Sequence, residues 1–176
     1  MKIKVSIITP VKNCKDTIKK TIESVKSQSY KNIEHIIIDG DSTDGTLEII
    51  KQFENIKLIT GPDKSIAEAM NKGIKISTGD IVGILNADDY YLENTIQTIV
   101  TEHINEPNSI LHGDMRVFGN NKYYDVISDN KPNILSGMVI NHPTMFVPLT
   151  IINKHGMYDE NFNICGDWEM CVRYYL

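Results

Sequence analysis

A short apolar run that ends in two adjacent acids is the feature that most restricts how this chain can fold. Residues 81–85 are apolar or glycine, and Asp88 and Asp89 follow shortly after them. A run of this length predicts a strand that is covered on both faces. Ligands of open α/β sheets bind beyond the carboxyl ends of the strands. Adjacent carboxylates there repel each other unless a cation such as Mg²⁺ or Mn²⁺ lies beside them. The pattern therefore predicts either a cation site or an Asp cap on the next helix.

The first half of the chain alternates apolar runs with amphipathic stretches. Residues 15–27, for example, place Ile18, Ile22 and Val25 on one helical face. This alternation predicts an α/β, Rossmann-like fold with a mostly parallel central sheet and helices on both faces. The predicted strands are residues 5–9, which Pro10 ends, then 33–38, 56–60 and 81–85; the predicted helices are residues 15–27, 47–53, 65–77 and one ending near 105.

The second half of the chain is less regular. Its predicted elements are a strand at 110–114, a hairpin formed by 116–118 and 123–126, an extended segment at 140–146, and helices at 149–154 and 166–176. The last helix has no stop signal, which predicts that the natural protein continues beyond it. We predict one domain, 1–176, with a regular half at 1–105 and an irregular half at 106–176 that has a mixed sheet.

Composition narrows the class of protein. With 176 residues, 41% apolar and 23% charged, the chain is an ordinary globular domain. A net charge of −5 gives no broad basic footprint for nucleic acid. The cysteines Cys14, Cys165 and Cys171 have neither zinc nor disulfide spacing. With no hydrophobic signal segment and no apolar run of about 20 residues, these features predict a cytoplasmic protein, and they leave peripheral contact with the inner face of the membrane open.

A second predicted strand also ends in acids. Asp39 and Asp41 follow residues 33–38, at the edge of the sheet where Asp88 and Asp89 are expected. One carboxylate there can accept a hydrogen bond from a nucleobase or ribose while another holds a metal on a diphosphate. The chain has no Gly-x-Gly-x-x-Gly loop after the first strand and no Walker sequence, which argues against a dinucleotide dehydrogenase and a P-loop enzyme.

The chain resembles glycosyltransferase family 2, the inverting, nucleotide-sugar-dependent enzymes with the GT-A fold. The resemblance covers nearly the whole chain, and its segments occur in the family's order. They are VSIITPVKN at 5–13, IDGDSTDGT at 38–46, AMNKGI at 69–74 with TGD at 78–80, LNADD at 85–89, HPT at 142–144, and GMYD at 156–159 with DWE at 167–169 and Arg173.

The resemblance implies roles for residues of the nucleotide pocket. Thr9, Pro10 and Asn13 would lie in its first loop, and Asp63 would contact the nucleotide unless it belongs to a solvated loop. Asp39 would bind the base. The family usually has a second Asp directly after it, but here Gly40 takes that place and Asp41 follows, so either carboxylate is a candidate, as is plain turn chemistry for Asp41.

The resemblance also implies roles around the reacting sugar. Asp88 would lie near the ribose or the metal, and Asp89 would bind Mn²⁺ or Mg²⁺ directly. Asp167 would be the general base, with a helix N-cap as the alternative. His142 would line the acceptor or diphosphate region, and Trp168 would stack on a sugar or acceptor; the alternative for each is a structural role.

The resemblance implies that 1–105 is the nucleotide-sugar-binding half of the domain and 106–176 the acceptor-side half. The implied function is transfer of a sugar, with inversion, from a nucleotide-sugar such as a UDP-sugar to a hydroxyl of a saccharide or lipid-linked acceptor. Bacterial surface-polysaccharide biosynthesis is the usual setting of the family. Two alternatives remain: a nucleotide-sugar-binding module that does not catalyse transfer, and a sugar nucleotidyltransferase. The second should carry a Gly-rich basic loop after the first strand, where residues 9–13 have none.

Overall fold

The computed structural model describes residues 2–119, 122–128, 133–137, 140–162 and 164–176. The strands are β1 (Val5–Val11), β2 (Ile33–Asp39), β3 (Ile56–Thr60), β4 (Ile81–Ile84), β5 (Met115–Gly119), β6 (Lys122–Val126) and β7 (Phe146–Pro148). The helices are α1 (Ile18–Lys26), α2 (Thr46–Ile50), α3 (Ile66–Ile76), α4 (Thr95–Asn105), α5 (Leu149–His155) and α6 (Gly166–Tyr175), with short 3₁₀ helices at Ile134–Ser136 and His142–Thr144.

The central sheet has the strand order β3-β2-β1-β4-β7. β1 to β4 run parallel, and β7 pairs antiparallel with β4. The carboxyl ends of β1 to β4 therefore lie at one edge of the sheet, which we call the carboxyl edge. Because β7 runs the other way, the residues that precede Phe146 lie at this edge too. The mostly parallel sheet confirms the α/β fold predicted from the sequence.

Helices cover both faces of the sheet because side chains alternate along each buried strand. On one face Ile8 and Val82 pack in a cluster with residues of α3, α5 and α6. On the other face Ile7 and Ile81 pack with residues of α1 and α4, and Ile37 packs with α1 and α2. Helix α3 lies so close to β1 that a Cβ added at Gly73 would collide with Ile8. The helices on both faces confirm the predicted layer order.

Strand β1 continues through Pro10 to Val11, so the prediction that Pro10 ends the strand is wrong. Pairing between β1 and β4 stops at Ile8 and Ile84, where the N–H of Leu85 donates to the Ile8 carbonyl at 2.9 Å. Backbone groups alternate in direction along a strand, so the nitrogen of Pro10 faces the same side as Ile8, beyond the end of that pairing. The missing N–H therefore removes no hydrogen bond from the sheet.

The predicted strand at 110–114 is reduced to a single bridge between Leu111 and Phe146. Beyond Leu111 the backbone is bonded by side chains: the Thr144 hydroxyl accepts from the Gly113 N–H at 3.0 Å, and the Asn141 amide donates to the Gly113 carbonyl at 3.2 Å. These bonds replace those of a strand partner. Part of the segment predicted as extended, 140–146, is instead a 3₁₀ turn, in which the Thr144 N–H donates to the Asn141 carbonyl at 2.8 Å.

The hairpin of β5 and β6 confirms the predicted pairing, with Arg116 opposite Asp125 and Phe118 opposite Tyr123. Residues 120 and 121 of the predicted turn lie outside the described residues. Helix α5 ends at Gly156 as predicted, where φ is 92°. In the part of the chain that the structure describes, none of the helices has the length and apolar character needed to span a bilayer.

Candidate active site

The carboxyl edge brings the predicted acids together. Asp39 is the last residue of β2, and Asp88 and Asp89 follow the end of β4. His142 opens the 3₁₀ turn before β7, which the antiparallel pairing of β7 brings to the same edge. Asp167, in the first turn of α6, is near enough for its charge to raise the pKa of His142. The residues predicted to act on nucleotide, metal and acceptor are therefore found at the carboxyl edge of the sheet.

Asp39 has a buried oxygen atom that is not hydrogen-bonded. The side chain is 1% exposed, and its Oδ2 accepts from the N–H of Ser42 at 3.1 Å, while Oδ1 has no partner among the described residues. A buried carboxylate oxygen left in this state costs free energy unless a donor reaches it. Asp41, in contrast, is exposed with φ of 57°. Asp39 is therefore the better candidate for accepting a hydrogen bond from a nucleobase.

The loop after β1 is bonded to the loop after β2. Asn13, with φ of 54°, donates its N–H to the Ser42 hydroxyl at 2.9 Å, and its Oδ1 accepts from the Thr43 N–H at 2.8 Å. These bonds join the two loops through Ser42 and Thr43, and they do not involve Asp41. Thr9 and Pro10 belong to β1 and not to the loop, which corrects their predicted place. Contacts of Thr9, Pro10 and Asn13 with a nucleotide stay predictions.

Gly40 makes room for Asp63. A Cβ added at Gly40 would lie 3.2 Å from Oδ2 of Asp63 and 3.6 Å from Cδ of Lys12. Asp63 is paired with Lys72 at 2.5 Å, and its side chain is only 9% exposed, so it is not a freely solvated loop residue. A second Asp at position 40, as is usual in the family that the sequence resembles, would place its charge against Asp63. Any side chain at position 40 would require Asp63 to shift by a few tenths of an ångström.

The segment after β4 forms a tight turn. The N–H of Asp89 donates to the carbonyl of Asn86 at 3.1 Å, and the Asn86 amide donates to Oδ2 of Asp89 at 3.3 Å. Burial, and then the charge of Asp88, raise the pKa of the Asp89 carboxyl. Helix α4 begins only at Thr95, with Asn94 as its N-cap, so neither Asp caps it. The helix-cap reading of this acid pair is therefore wrong.

The donor set of this turn fits a divalent cation that arrives with a diphosphate. Asp89 is destabilised as an anion, which a cation would reverse, and Oδ1 of Asn86 is buried with no partner among the described residues. Within those residues, no group of three or more His, Cys, Asp or Glu is placed to hold a metal alone. Mg²⁺ commonly uses one or two carboxylates and completes its shell with substrate phosphates and water.

Polar residues of α1 anchor this turn, and our interpretation of the sequence missed them. The Thr21 hydroxyl lies 2.9 Å from the Ala87 carbonyl and 2.7 Å from the Asp89 carbonyl. The Ser24 hydroxyl accepts from the N–H of Tyr91 at 3.2 Å. Gln28, two residues beyond the end of α1, donates from its side-chain amide to the Leu92 carbonyl at 2.8 Å and accepts from the Ile96 N–H at 3.0 Å. The sequence carries one indication of these contacts: positions 21 and 28 are polar, although they fall on the apolar helix face that Ile18, Ile22 and Val25 define.

Asp167 lies inside α6, not at its cap. The N-cap is Cys165, and Oδ1 of Asp167 accepts from the N–H of Trp168 at 2.9 Å. The N-cap reading of Asp167 is therefore wrong. Burial lowers the pKa of His142 and the charge of Asp167 partly opposes this, so the imidazole is mainly neutral at pH 7 and lies close to a carboxylate.

The Trp168 side chain is hydrogen-bonded within the protein. Its indole N–H donates to the carbonyl of Ile134 at 2.8 Å, which ties the 3₁₀ turn Ile134–Ser136 to α6. This contact fits the structural reading, and stacking of Trp168 on an acceptor stays a prediction. Arg173 and Glu169 form an ion pair at 2.6 Å along the helix.

A cavity of about 460 Å³ opens beside Asp89. It lies between the turn after β4, helix α4 and residues 111–116, and Arg116 and Thr144 contribute polar groups to its lining. Its volume is within the range of small-molecule sites. A larger cavity of about 850 Å³ is lined by Lys154, Cys171 and Tyr174 among others, and none of the acids discussed above is among the described residues that line it.

Histidine at position 35 makes the stability of the fold depend on pH. Its ring is fully buried, with Nε2 2.9 Å from the Thr9 hydroxyl, and burial lowers the pKa of His35 from 6.5 to about 4. Between these two values the unfolded state binds more protons than the folded state. We therefore expect the free energy of unfolding to fall as pH drops from 6.5 to 4, by on the order of 3 kcal/mol from this group.

Urea unfolding at a series of pH values across this window measures the effect. In His35→Gln, which keeps a hydrogen-bonding side chain but does not titrate, the curve should be flatter than in the wild type. His155→Gln is the matched control, because His155 is only half-buried at the end of α5, and it should keep the wild-type slope. Equal slopes in wild type and His35→Gln would exclude His35 as the source.

Comparison with known proteins gives a consistent result. A family model described as Glycosyl transferase family 2 matches residues 6–173. The chain is 32% identical over 167 residues to UDP-Glc:alpha-D-GlcNAc-diphosphoundecaprenol beta-1,3-glucosyltransferase WfaP of Escherichia coli, covering 90% of this chain and 64% of that protein. It is 27% identical over 177 residues to PGL/p-HBAD biosynthesis glycosyltransferase Rv2957 of Mycobacterium tuberculosis, covering 96% and 68%. The chain thus spans about two thirds of the length of these relatives.

Solved structures share the fold. Staphylococcus aureus TarS 1-349 in complex with UDP superposes with a TM-score of 0.81 at 19% identity, over 98% of this chain and 55% of that one. Mannosyltransferase PcManGT from Pyrobaculum calidifontis, in complex with GDP-Man and Mn²⁺, gives a TM-score of 0.73 at 16% identity, over 99% of this chain and 52% of that one. At these identities the likeness concerns the fold alone, and it confirms the GT-A architecture.

Proposed function

The chain belongs to glycosyl transferase family 2, and on that premise we propose that it is the donor-binding and catalytic part of an inverting glycosyltransferase. The observation that supports the proposal is the carboxyl edge: Asp39 ends β2, Asp88 and Asp89 follow β4, and His142 precedes β7 within reach of the charge of Asp167. Rossmann-like sheets bind nucleotides at this edge.

The proposed donor is a UDP-sugar. The unpartnered oxygen of Asp39 is suited to accept from a base N–H, which uracil supplies. Two Escherichia coli relatives, WfaP and WfgD, are described as using UDP-Glc with a diphosphoundecaprenol-linked GlcNAc. These names favour a UDP-sugar and a saccharide acceptor on a lipid carrier for this chain too. The cytoplasmic location and the peripheral membrane contact stay predictions.

In the proposed mechanism Asp89 holds a divalent cation, Mn²⁺ or Mg²⁺, with Asp88 close by. When bound, the cation would supply Lewis-acid stabilisation to the departing diphosphate. Asp167 accepts the proton of the acceptor hydroxyl as the new C–O bond forms at the anomeric carbon and the bond to the diphosphate breaks. The cavity beside Asp89 has room for a saccharide unit next to the reacting centre.

One alternative is that this chain binds a nucleotide-sugar without transferring it. The observation that favours it is the share of the relatives covered, 64% for WfaP, because residues outside the matched part of a relative can contribute to acceptor binding. Sugar nucleotidyltransferase activity has no such support, since β1 leads into residues 12–17 without a Gly-rich basic loop.

A panel of nucleotide-sugars tests the proposal in two steps. Thermal unfolding with Mn²⁺ present should show stabilisation by UDP-sugars and not by GDP-sugars, corresponding to about 2.7 kcal/mol when the ligand is at 100 times its Kd. Asp39→Asn should lose most of this stabilisation. Transfer to a diphosphate-linked GlcNAc acceptor is then measured by UDP release. Stabilisation without release identifies the binding module, and no stabilisation by any UDP-sugar contradicts the proposal.

A further inference from the structure

Asn71 of α3 holds the main chain at Tyr158. Asn71 is 3% exposed; its Nδ2 donates to the Tyr158 carbonyl at 2.9 Å, and its Oδ1 accepts from the Tyr158 N–H at 3.0 Å. The same Nδ2 lies 2.9 Å from Oε1 of Glu160. The side-chain amide thus bonds both backbone groups of one residue, as a neighbouring strand would. This pairing fixes the position of Tyr158 relative to the sheet, because α3 packs directly on β1.

Tyr158 in turn holds His142. The Tyr158 side chain is 6% exposed, and its hydroxyl lies 2.8 Å from Nε2 of His142. The two rings meet edge to face, with centroids 6.2 Å apart and planes at 77°. A partly buried imidazole that is bonded at one nitrogen and packed against an aromatic ring has little freedom to rotate.

The charge of Asp167 reaches both rings: it opposes the fall in the pKa of His142 that burial causes, and it adds to the rise in the pKa of Tyr158. The order of contacts therefore runs from Asn71 through Tyr158 to His142, and ends beside the carboxylate to which the base role is assigned. A carboxylate that receives a hydrogen bond from an imidazole is a weaker base. The Tyr158 hydroxyl engages Nε2 of His142, and a ring that loses this bond can turn the same nitrogen toward a neighbouring carboxylate.

We propose that Asn71 and Tyr158 are positioning residues, which hold the His142 ring beside Asp167 in the one orientation that leaves the carboxylate available to the acceptor hydroxyl. The inference rests on the proposed function, in which Asp167 is the base. It assigns a mechanistic reason to the buried Asn71, whose contacts reach no candidate ligand-binding residue directly. Neither Asn71 nor Tyr158 touches the reacting atoms in this arrangement.

Tyr158→Phe tests the inference, since it removes one oxygen atom and keeps the ring in the core. We expect kcat for sugar transfer to fall roughly 10- to 100-fold through misplacement of the ring. The KM for the nucleotide-sugar and the Kd for UDP should stay within about twofold of wild type. Tyr30→Phe is the matched control: Tyr30 is also buried, and its hydroxyl donates to the Ile3 carbonyl near the start of β1, at the opposite edge of the sheet. It should keep wild-type kcat.

The imidazole ¹⁵N signals of His142 give a readout that does not depend on activity. They should move in Tyr158→Phe, and in Asn71→Ser, and stay in place in Tyr30→Phe. Unmoved signals in Tyr158→Phe, or a wild-type kcat in that variant, would overturn the inference, as would an equal loss of kcat in both tyrosine variants. A wild-type chain that transfers no sugar while the signals of His142 respond as expected counts against the proposed function and supports the positioning contacts.

Discussion

Asp167→Asn is expected to abolish sugar transfer while donor binding is unchanged. A general base contributes about 10²- to 10⁴-fold to a reaction rate, and an amide of the same shape cannot accept the proton. The substitution should not disturb the fold, because the Oδ1 of Asn can accept the same bond from the Trp168 N–H that Asp167 accepts at 2.9 Å. Loss of kcat should therefore come without a change in thermal stability.

UDP release in the presence of acceptor, together with calorimetry of UDP binding, measures both halves of this expectation. Asp80→Asn is the matched control. Asp80 also accepts a backbone N–H, that of Lys4 at 2.7 Å, but it precedes β4 and so lies at the opposite edge of the sheet from Asp167. It should keep normal turnover. A fully active Asp167→Asn variant would exclude Asp167 as the base and leave the donor site untouched.

Removal of divalent cations is expected to weaken UDP binding by roughly 100-fold, about 2.7 kcal/mol. In the proposed site the carboxylates of Asp88 and Asp89 meet a diphosphate without a phosphate-binding glycine loop, so without a cation they would repel the ligand. Calorimetry with Mn²⁺ and with EDTA measures the difference. Uridine, which has no diphosphate, is the control ligand, and its weak binding should not respond to EDTA.

In the variant Asp89→Asn, the change in UDP affinity relative to wild type should have opposite signs with Mn²⁺ and with EDTA. It should bind UDP less tightly than wild type when Mn²⁺ is present, because a ligand of the cation is lost. In EDTA it should bind UDP more tightly than wild type, because one repelling charge is removed. UDP affinity that is the same with and without chelator would rule out Asp89 as a metal ligand.

The first half of the fold was predictable because its elements are set by local pattern. β3 has the predicted bounds at Ile56–Thr60, and α3 begins and ends within one residue of the predicted helix 65–77. The second half was harder because side chains distant in sequence decide its backbone. Thr144 and Asn141 satisfy Gly113 across about 30 residues, and no periodicity within 110–114 reports that.

The position of the candidate site was predictable from the sequence, but some of its contacts were not. Strand tips place Asp39 and Asp89 at one edge, which the alternation of strands and helices alone indicates. The choice between Asp39 and Asp41 was not open to sequence reasoning, since it depends on burial and on the left-handed backbone of Asp41. The bonds from Thr21 and Gln28 to the turn after β4 were also hidden, because a polar residue on an apolar stripe does not reveal its partner.

The bonds from Thr21 of α1 have a consequence for how the proposed site would bind a donor. Helix α1 follows the loop that carries Asn13, and its polar side chains hold the turn that carries Asp89. Hydrogen bonds thus connect the loops that follow β1, β2 and β4, and these bonds form when the chain folds. A donor that binds to loops already fixed in this way would order little new protein, so more of its contact energy would appear as binding affinity.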